Sequence, residues 1–195
     1  MNIEQKIQLL KPHAHLLSGN LMGIEKEGLR VSKKGGLSQT PHPSALGCAL
    51  THPNITTDFS ESLLELVTPP LSSAKSVLDF LKDTQHYLYC RLPKDQSFWP
   101  ASMPCVMRGK TYIPIAQYGS SNRGKMKTVY RQGLANRYGS VMQVIAGIHF
   151  NYSFSEKFIE KFCAVSVNDH NKDEAYMALT RNLVRYGWVV PYLFG

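Results

Sequence analysis

The chain has 195 residues, 43% of them hydrophobic, which is enough for one well-buried domain of ordinary globular composition. Its 22 basic and 14 acidic residues leave a net charge of +8 and a pI near 9.3. No apolar run approaches the roughly 20 residues that a membrane-spanning helix needs, and the start, Met-Asn-Ile-Glu-Gln-Lys, lacks the basic opening and apolar core of a signal peptide. A cytoplasmic protein with reduced, mostly buried thiols is expected. Cys48, Cys90, Cys105 and Cys163 are widely spaced, so neither a zinc knuckle nor a Cys-x-x-Cys redox pair is present. The positive charge would suit anionic small substrates as well as nucleic acid. It concentrates only at Arg123, Lys125, Lys127, Arg131 and Arg137, with no nucleic-acid-binding motif around it.

In chain order, residues 2–12 place Ile3, Ile7 and Leu10 at helical spacing and end near Pro12. Gly23 to Val31 reads as a strand, closed by a turn at Ser32-Lys-Lys-Gly-Gly36. A Pro- and Gly-rich loop follows over residues 41–53. Ser62 to Thr68 is a second strand, stopped by Pro69-Pro70. Residues 72–89 carry Val77, Leu78, Leu81 and Leu88 behind a capping serine at 72 or 73, a helical pattern. Residues 91–121 are rich in Pro, Gly and Ser and are expected to be mostly loop.

Asn122 to Tyr138 predicts a helix with Met126, Val129, Tyr130 and Leu134 along its apolar side. From Ser140 to Phe154 the pattern alternates, with Met142, Val144, Ala146, Ile148 and Phe150 against Gln143, Gly147, His149, Asn151 and Ser153. That period predicts one long strand with a polar second face. Two further helical stretches fill residues 155–187. Strands and helices do not alternate as in βαβ units, which predicts an α+β fold. The last residues, Gly187 to Gly195, form a nearly continuous apolar run. Termini are usually polar, so an element cut short, or one that docks on another chain, is expected there.

Carboxylates carry the chemistry. Glu25 and Glu27 lie two apart in a strand and so share a face, where like charges repel unless a cation intervenes. The plainer account is an exposed strand face with lysines beside it. Glu65 counts against that account, because Leu63-Leu-Glu-Leu-Val67 sets a carboxylate amid apolar residues, a costly placement unless it is paired or metal-bound. Glu61 shares the Glu65 face in a more polar stretch and ranks lower. Asp58 stands at the entrance of that strand, a position equally common for a turn-forming residue. His149, on the polar face of the long strand, could be a satisfied core histidine or a ligand. Several acids with one histidine read more readily as a nucleotide–Mg²⁺ site than as structural zinc. Arg131 is either a solvated cation or a clamp for phosphate or carboxylate. Gly109-Lys-Thr111 imitates the end of a phosphate-binding loop, but Pro104 stands where the earlier glycine is required. The pair His13-Ala-His15, near a helix end, is read as solvated.

A set of collinear blocks then resembles one family. These are Gly23-Ile-Glu-Lys-Glu-Gly-Leu-Arg-Val31, Ala45-Leu-Gly-Cys-Ala-Leu-Thr-His52 and Ile55-Thr-Thr-Asp-Phe-Ser-Glu-Ser-Leu-Leu-Glu65, then Trp99-Pro-Ala-Ser-Met-Pro-Cys105 and Ala116-Gln-Tyr-Gly-Ser-Ser-Asn122. Tyr130-Arg-Gln-Gly-Leu134, Asn136-Arg-Tyr-Gly139, Gly147-Ile-His-Phe-Asn-Tyr-Ser153 and Arg185-Tyr-Gly-Trp-Val-Val-Pro-Tyr-Leu-Phe-Gly195 complete them. From about residue 20 to the last, the chain resembles the proteobacterial class of glutamate–cysteine ligase. The resemblance implies a fold like glutamine synthetase, a curved and mostly antiparallel sheet with surrounding helices, incomplete in this chain. Residues 1–195 would be the N-terminal portion of a single catalytic domain.

It also implies ATP-dependent joining of the glutamate γ-carboxylate to cysteine, the first step of glutathione synthesis. The implied partners are ATP, L-glutamate and L-cysteine, with Mg²⁺ or Mn²⁺ as cofactor, no nucleic acid, no membrane, and a second chain supplying the rest of the site. Glu25, Glu27, Asp58, Glu65 and His149 match the family's metal ligands. Tyr130, Arg131 and Asn151 match substrate-binding positions, with Arg131 near the transferring phosphate. The alternative is a non-catalytic remnant that keeps the fold and binds nucleotide or a partner.

Overall fold

The computed structural model describes residues 3–107, 109, 111–163 and 169–195. It contains two compact units, residues 22–151 and residues 1–21 with 152–195. No described helix is long and apolar enough to cross a membrane.

The larger unit is organised around strand β1, Leu21–Ser32. The other strands of its sheet are β2 (Ile55–Thr57), β3 (Leu63–Val67), β4 (Gln96–Trp99) and β5 (Ile148–Ser153). The order is β2-β3-β1-β4, with β5 also paired to β1. The pairings β1–β3, β1–β4 and β2–β3 are antiparallel. An α+β architecture is therefore observed. At 12 residues, β1 is long enough to give one edge to β3 and to divide the other. On that divided edge Leu29 to Ser32 meet β4, and Glu27 N–H donates to Gly147 O at 2.9 Å.

Strand alternation sorts β1 and β3 into two faces. Leu29, Val31 and Leu63 join Phe59, Ile113, Val144 and Ala146 in one buried cluster. Leu64, Leu66 and Phe98 join Leu46, Ile55, Leu81 and Leu88 in the other, beneath helix α2, Ala74–Arg91. Ser73 caps α2, its side chain accepting from Ser76 N–H, as the serine pair before the helix led one to expect. Gly28 is needed on the second face because the Phe98 ring lies against it. A Cβ there would stand 2.2 Å from the ring's Cζ. Gly28→Ala is expected to destabilise the chain by about 1–3 kcal/mol, the usual cost of overpacking, measured by urea unfolding.

Residues 91–121 are mostly loop, as expected, apart from β4, a four-residue run too short to show a period, which pairs with the end of β1. Three expectations are corrected. The alternation over 140–154 is not one strand. Val141–Val144 is a 3-10 turn, and only Ile148–Ser153 is extended. Val144 and Ala146 are buried while Ile148 and Phe150 are exposed, so the apolar set does not share a face. The second concerns α3, which spans Asn122–Tyr138 as predicted but turns its apolar side outward: Met126, Val129 and Tyr130 are 67%, 62% and 64% exposed. Its inward side is Gly124, Lys127, Thr128, Arg131, Leu134 and Ala135. Thiols differ too, for Cys48 and Cys90 are exposed and only Cys105 is buried; the Cys163 side chain lies outside the described residues.

In the smaller unit, α1 (Ile3–Leu10) runs into a 3-10 helix over Lys11–Gly19, which carries His13 and His15. Helices α4 (Glu156–Cys163), α5 (Asp169–Tyr186) and α6 (Val189–Phe194) follow β5. Ser155 ties the two segments of this unit together, its Oγ donating to Leu16 O at 3.0 Å and its N–H to Asn20 Oδ1 at 3.0 Å. The rings of Phe154 and Phe158 stack at 4.5 Å beside Tyr176, whose hydroxyl accepts from Phe154 N–H. The apolar end of the chain, Val189–Phe194, is a short exposed helix.

Candidate functional site

Strand register brings the carboxylates together. Residues 25, 27, 29 and 31 alternate onto one face of β1, and 63, 65 and 67 onto the same face of β3. That face is apolar at Leu29, Val31 and Leu63 and acidic at Glu25, Glu27 and Glu65. Glu27 stands directly opposite Glu65, and Thr56 of β2 opposes Glu65 on its other side. Two like charges in a directly opposed pair destabilise a sheet, so this pairing is retained against the local physics.

The surroundings of each group say why. Glu65 is half-buried beside Leu63 on this face, and no donor among the described residues is hydrogen-bonded to its carboxylate. Burial first, then the charges of Asp58, Glu25 and Glu27, push its pKa up to about 7, with His149 pulling weakly the other way. Glu27 is also raised, by burial above all, although the Gly147 amide holds it back. That amide donates to Glu27 Oε2 at 2.7 Å. A carboxyl that keeps its proton up to about pH 7 sits on a face where negative charge outweighs positive.

His149 and Asn151 reach this face from β5. His149 Nδ1 is 3.3 Å from Glu25 Oε2 and 3.9 Å from Glu27 Oε1. Asn151 Nδ2 donates to Glu25 Oε1 at 2.8 Å. Asp58 enters through electrostatics, since it raises both Glu27 and Glu65. Its backbone is held by Leu63 O at 3.0 Å and by donors from Tyr118 and Arg131. Glu25, Glu27, Asp58, Glu65 and His149 are thus brought into one electrostatic neighbourhood. Among the described residues, no three acidic, histidine or cysteine side chains close on a single point as ligands do. The donor chemistry, four carboxylates and one imidazole, nevertheless suits a hard divalent cation. A Glu65 carboxyl without a hydrogen-bond donor suits it also.

Glu61 has a different task. It precedes β3 rather than lying in it, so strand alternation does not carry it onto the Glu65 face. Its Oε2 accepts from His42 N–H at 2.5 Å and its Oε1 from Gln117 N–H at 2.7 Å, so the carboxylate joins two loops. Tyr130 projects from the exposed side of α3, whereas Arg131 turns inward. The Arg131 Nε donates to Asp58 O and its Nη1 to Lys127 O at 3.0 Å.

Two residues gave no signal in the sequence. Tyr118 is buried, and both Lys127 and Arg131 lie over its ring, at 4.9 and 4.8 Å from the centroid. Arg30 is fully buried behind the site and binds five acceptors.

A family model described as glutamate–cysteine ligase matches residues 7–195. The glutamate–cysteine ligase of Saccharophagus degradans is 50% identical over 188 residues, covering 94% of this chain and 35% of its own length. That of Edwardsiella ictaluri is 48% identical over 197 residues, covering 100% and 38%. The crystal structure of the Francisella tularensis glutamate–cysteine ligase in complex with AMP superposes with a TM-score of 0.81 at 40% identity, over 89% of this chain and 34% of that one. A bifunctional glutathione synthetase from Pasteurella multocida gives 0.82 at 30% identity, over 97% and 25%. The chain spans a little over a third of the length of these curated relatives. With the model match over nearly all its residues, the chain belongs to the glutamate–cysteine ligase family.

Proposed function

We propose that the acidic face of β1 and β3 is the cation-binding half of an ATP-dependent ligase site that joins the γ-carboxylate of L-glutamate to the amine of L-cysteine. The observation that carries this reading is the opposed pair Glu27–Glu65, with Glu65 half-buried, without a hydrogen-bond donor among the described residues, and with its pKa pushed up to about 7 by burial and the neighbouring carboxylates. Glu25, Glu27, Asp58, Glu65 and His149 would hold Mg²⁺ or Mn²⁺. Such a cation supplies charge neutralisation for the oxygens of a transferring phosphate.

The chain's own residues do the positioning. Gly147 N–H fixes one oxygen of Glu27, which leaves the other to face the cluster. Asn151 orients Glu25 in the same way. Arg131, half-buried and carrying no ion pair among the described residues, supplies a fixed positive charge for a phosphate. In the reaction, the glutamate γ-carboxylate takes the terminal phosphoryl group of ATP and ADP leaves. The cysteine amine then attacks the acyl carbon, and inorganic phosphate departs. Soluble, cytoplasmic action on these small molecules fits the family's chemistry.

The test is cysteine-dependent ADP release by the purified chain with Mg²⁺, ATP and glutamate. Turnover above the level without cysteine would support a working site in these residues. The second reading, binding without turnover, is favoured by the share of the relatives' length that the chain spans. It expects Mn²⁺ binding with no ADP release. Absence of both would remove the proposed cation site.

A further inference from the structure

Lys127 and Arg131 lie one helical turn apart on the inward side of α3. Both cations cover the ring of Tyr118, at 4.9 and 4.8 Å. Neither forms an ion pair with a carboxylate among the described residues. The bonds of Arg131 go to backbone carbonyls, Asp58 O and Lys127 O. Two like charges gathered on one ring repel each other, and burial with neighbouring Arg131 and Arg123 lowers the Lys127 pKa. Asp58 and Glu65 pull the other way, which places the Lys127 ammonium within electrostatic reach of the acidic face. Both side chains remain partly open to solvent. An arrangement of unpaired cations beside an acidic cluster is what a polyanion carrying divalent cations would bridge.

Tyr118 connects the two halves. Its hydroxyl donates towards Thr57 O at 2.8 Å and Asp58 O at 3.1 Å, and accepts from Thr57 Oγ1 at 3.0 Å. The same side chain therefore holds the backbone of Asp58 with its hydroxyl and seats both cations with its ring. Close approach of α3 depends on Gly124, where a Cβ would stand 2.3 Å from Tyr118 O. Thr128 Oγ1 adds a bond to Ala116 O at 3.2 Å, which fixes the helix along residues 116–118.

We propose that Lys127 shares with Arg131 a seat for the phosphate oxygens of a cation-bound polyphosphate, and that Tyr118 is the positioning residue that sets both cations relative to Asp58. This rests on the reading of the acidic face given above. The simpler role, in which Lys127 merely offsets the charge of the acids, makes an opposite prediction.

The experiment uses the whole chain and two probes. Free Mn²⁺ is titrated and followed by its electron paramagnetic resonance signal; the Mn²⁺–tripolyphosphate complex is titrated by calorimetry into Mn²⁺-saturated protein. Lys127→Met is expected to weaken tripolyphosphate binding about tenfold, the scale of one charge-assisted hydrogen bond, and to leave Mn²⁺ affinity equal or tighter. Tyr118→Phe keeps the ring and is expected to weaken Mn²⁺ several-fold while sparing tripolyphosphate. Tyr118→Leu is expected to weaken both.

These patterns separate the seat from a folding defect, which would lower both affinities in every variant. Wild-type tripolyphosphate affinity in Lys127→Met, with or without tighter Mn²⁺, would overturn the seat. Unchanged Mn²⁺ affinity in Tyr118→Phe would overturn the positioning role. If the wild-type chain binds no Mn²⁺ at all, the cation site itself is refuted and the seat with it. If it binds Mn²⁺ but not the tripolyphosphate complex, only the seat falls.

Discussion

Glu65→Gln is expected to make the cation-free chain more stable at pH 8 by about 3 kcal/mol while removing its response to divalent metal. The Glu65 pKa stands at about 7 in the folded chain against an ordinary value of 4.5. The unfolded chain thus releases this proton as pH rises through 4.5, while the folded chain keeps it until about 7. Stability falls across that window and the loss is constant above it. A difference of about 2.5 in pKa at 1.36 kcal/mol each gives the figure of about 3 kcal/mol. At pH 5 most of the penalty has not yet developed, and the advantage of the variant should shrink to about 1 kcal/mol. Glutamine keeps the volume and removes the charge, so packing on this face of β3 is little changed. Thermal melts in EDTA and in Mn²⁺, at pH 5 and pH 8, test this. Wild type should gain from Mn²⁺ at pH 8 by mass action, and the variant should not. A variant no more stable than wild type at pH 8 in EDTA would show that burial of Glu65 is not costly, and the argument for a cation there would lose its basis.

Arg30→Met is expected to cost about 3–5 kcal/mol, the range for breaking a buried charged network. The guanidinium is fully buried. Its Nη1 donates to Gln96 Oε1 at 2.6 Å and to Thr40 Oγ1 at 2.8 Å. Its Nη2 donates to Thr40 O, Pro41 O and Glu61 O at 2.6, 3.0 and 2.9 Å. Burial lowers its pKa to about 10, against the pull of Glu61, so it stays charged at neutral pH. Methionine fills the stem's space but leaves three carbonyls and Gln96 Oε1 without this donor, while Thr40 Oγ1 keeps its bond from Gln96 Nε2. Arg30→Lys should recover little, because an ammonium cannot reproduce the planar fork. Chemical unfolding with a fixed m-value measures both losses. The loss reaches beyond stability. Arg30 and Glu61 together hold residues 40–42 and 114–117 against the entrance of β3, where Asp58 begins the acidic face. Recovery of full stability in Arg30→Lys would mean that the charge, and not the fork, holds these loops.

Local pattern alone placed much of this chain. The bounds of α3, the start of α2 behind a serine at 72 or 73, and the strands holding Glu25, Glu27 and Glu65 follow from period, capping and the prolines that stop them. These are properties of a few consecutive residues, so they survive without tertiary information. The shared face of Glu25 and Glu27 was legible for the same reason, since side chains alternate on any strand. The family, too, was legible in ordered blocks of sequence.

Other features depended on partners distant in the chain. Which side of α3 turns inward was decided by Tyr118 and Ala116, which receive Lys127, Arg131 and Thr128, and the helix's own apolar stripe gave the opposite answer. The alternation over 140–154 broke because Val144 and Ala146 enter the core below Leu29 while Gly147 pairs with Glu27 on β1. Register, which no single strand carries, set Glu27 opposite Glu65 and brought His149 and Asn151 to Glu25. By itself the sequence determined which residues could carry charge on a common strand face and to which family the chain belongs. Only the tertiary structure decided which of those charges meet, because burial and opposition between strands are set by contacts 38 residues apart at Glu27–Glu65, and over a hundred apart at Glu25–His149.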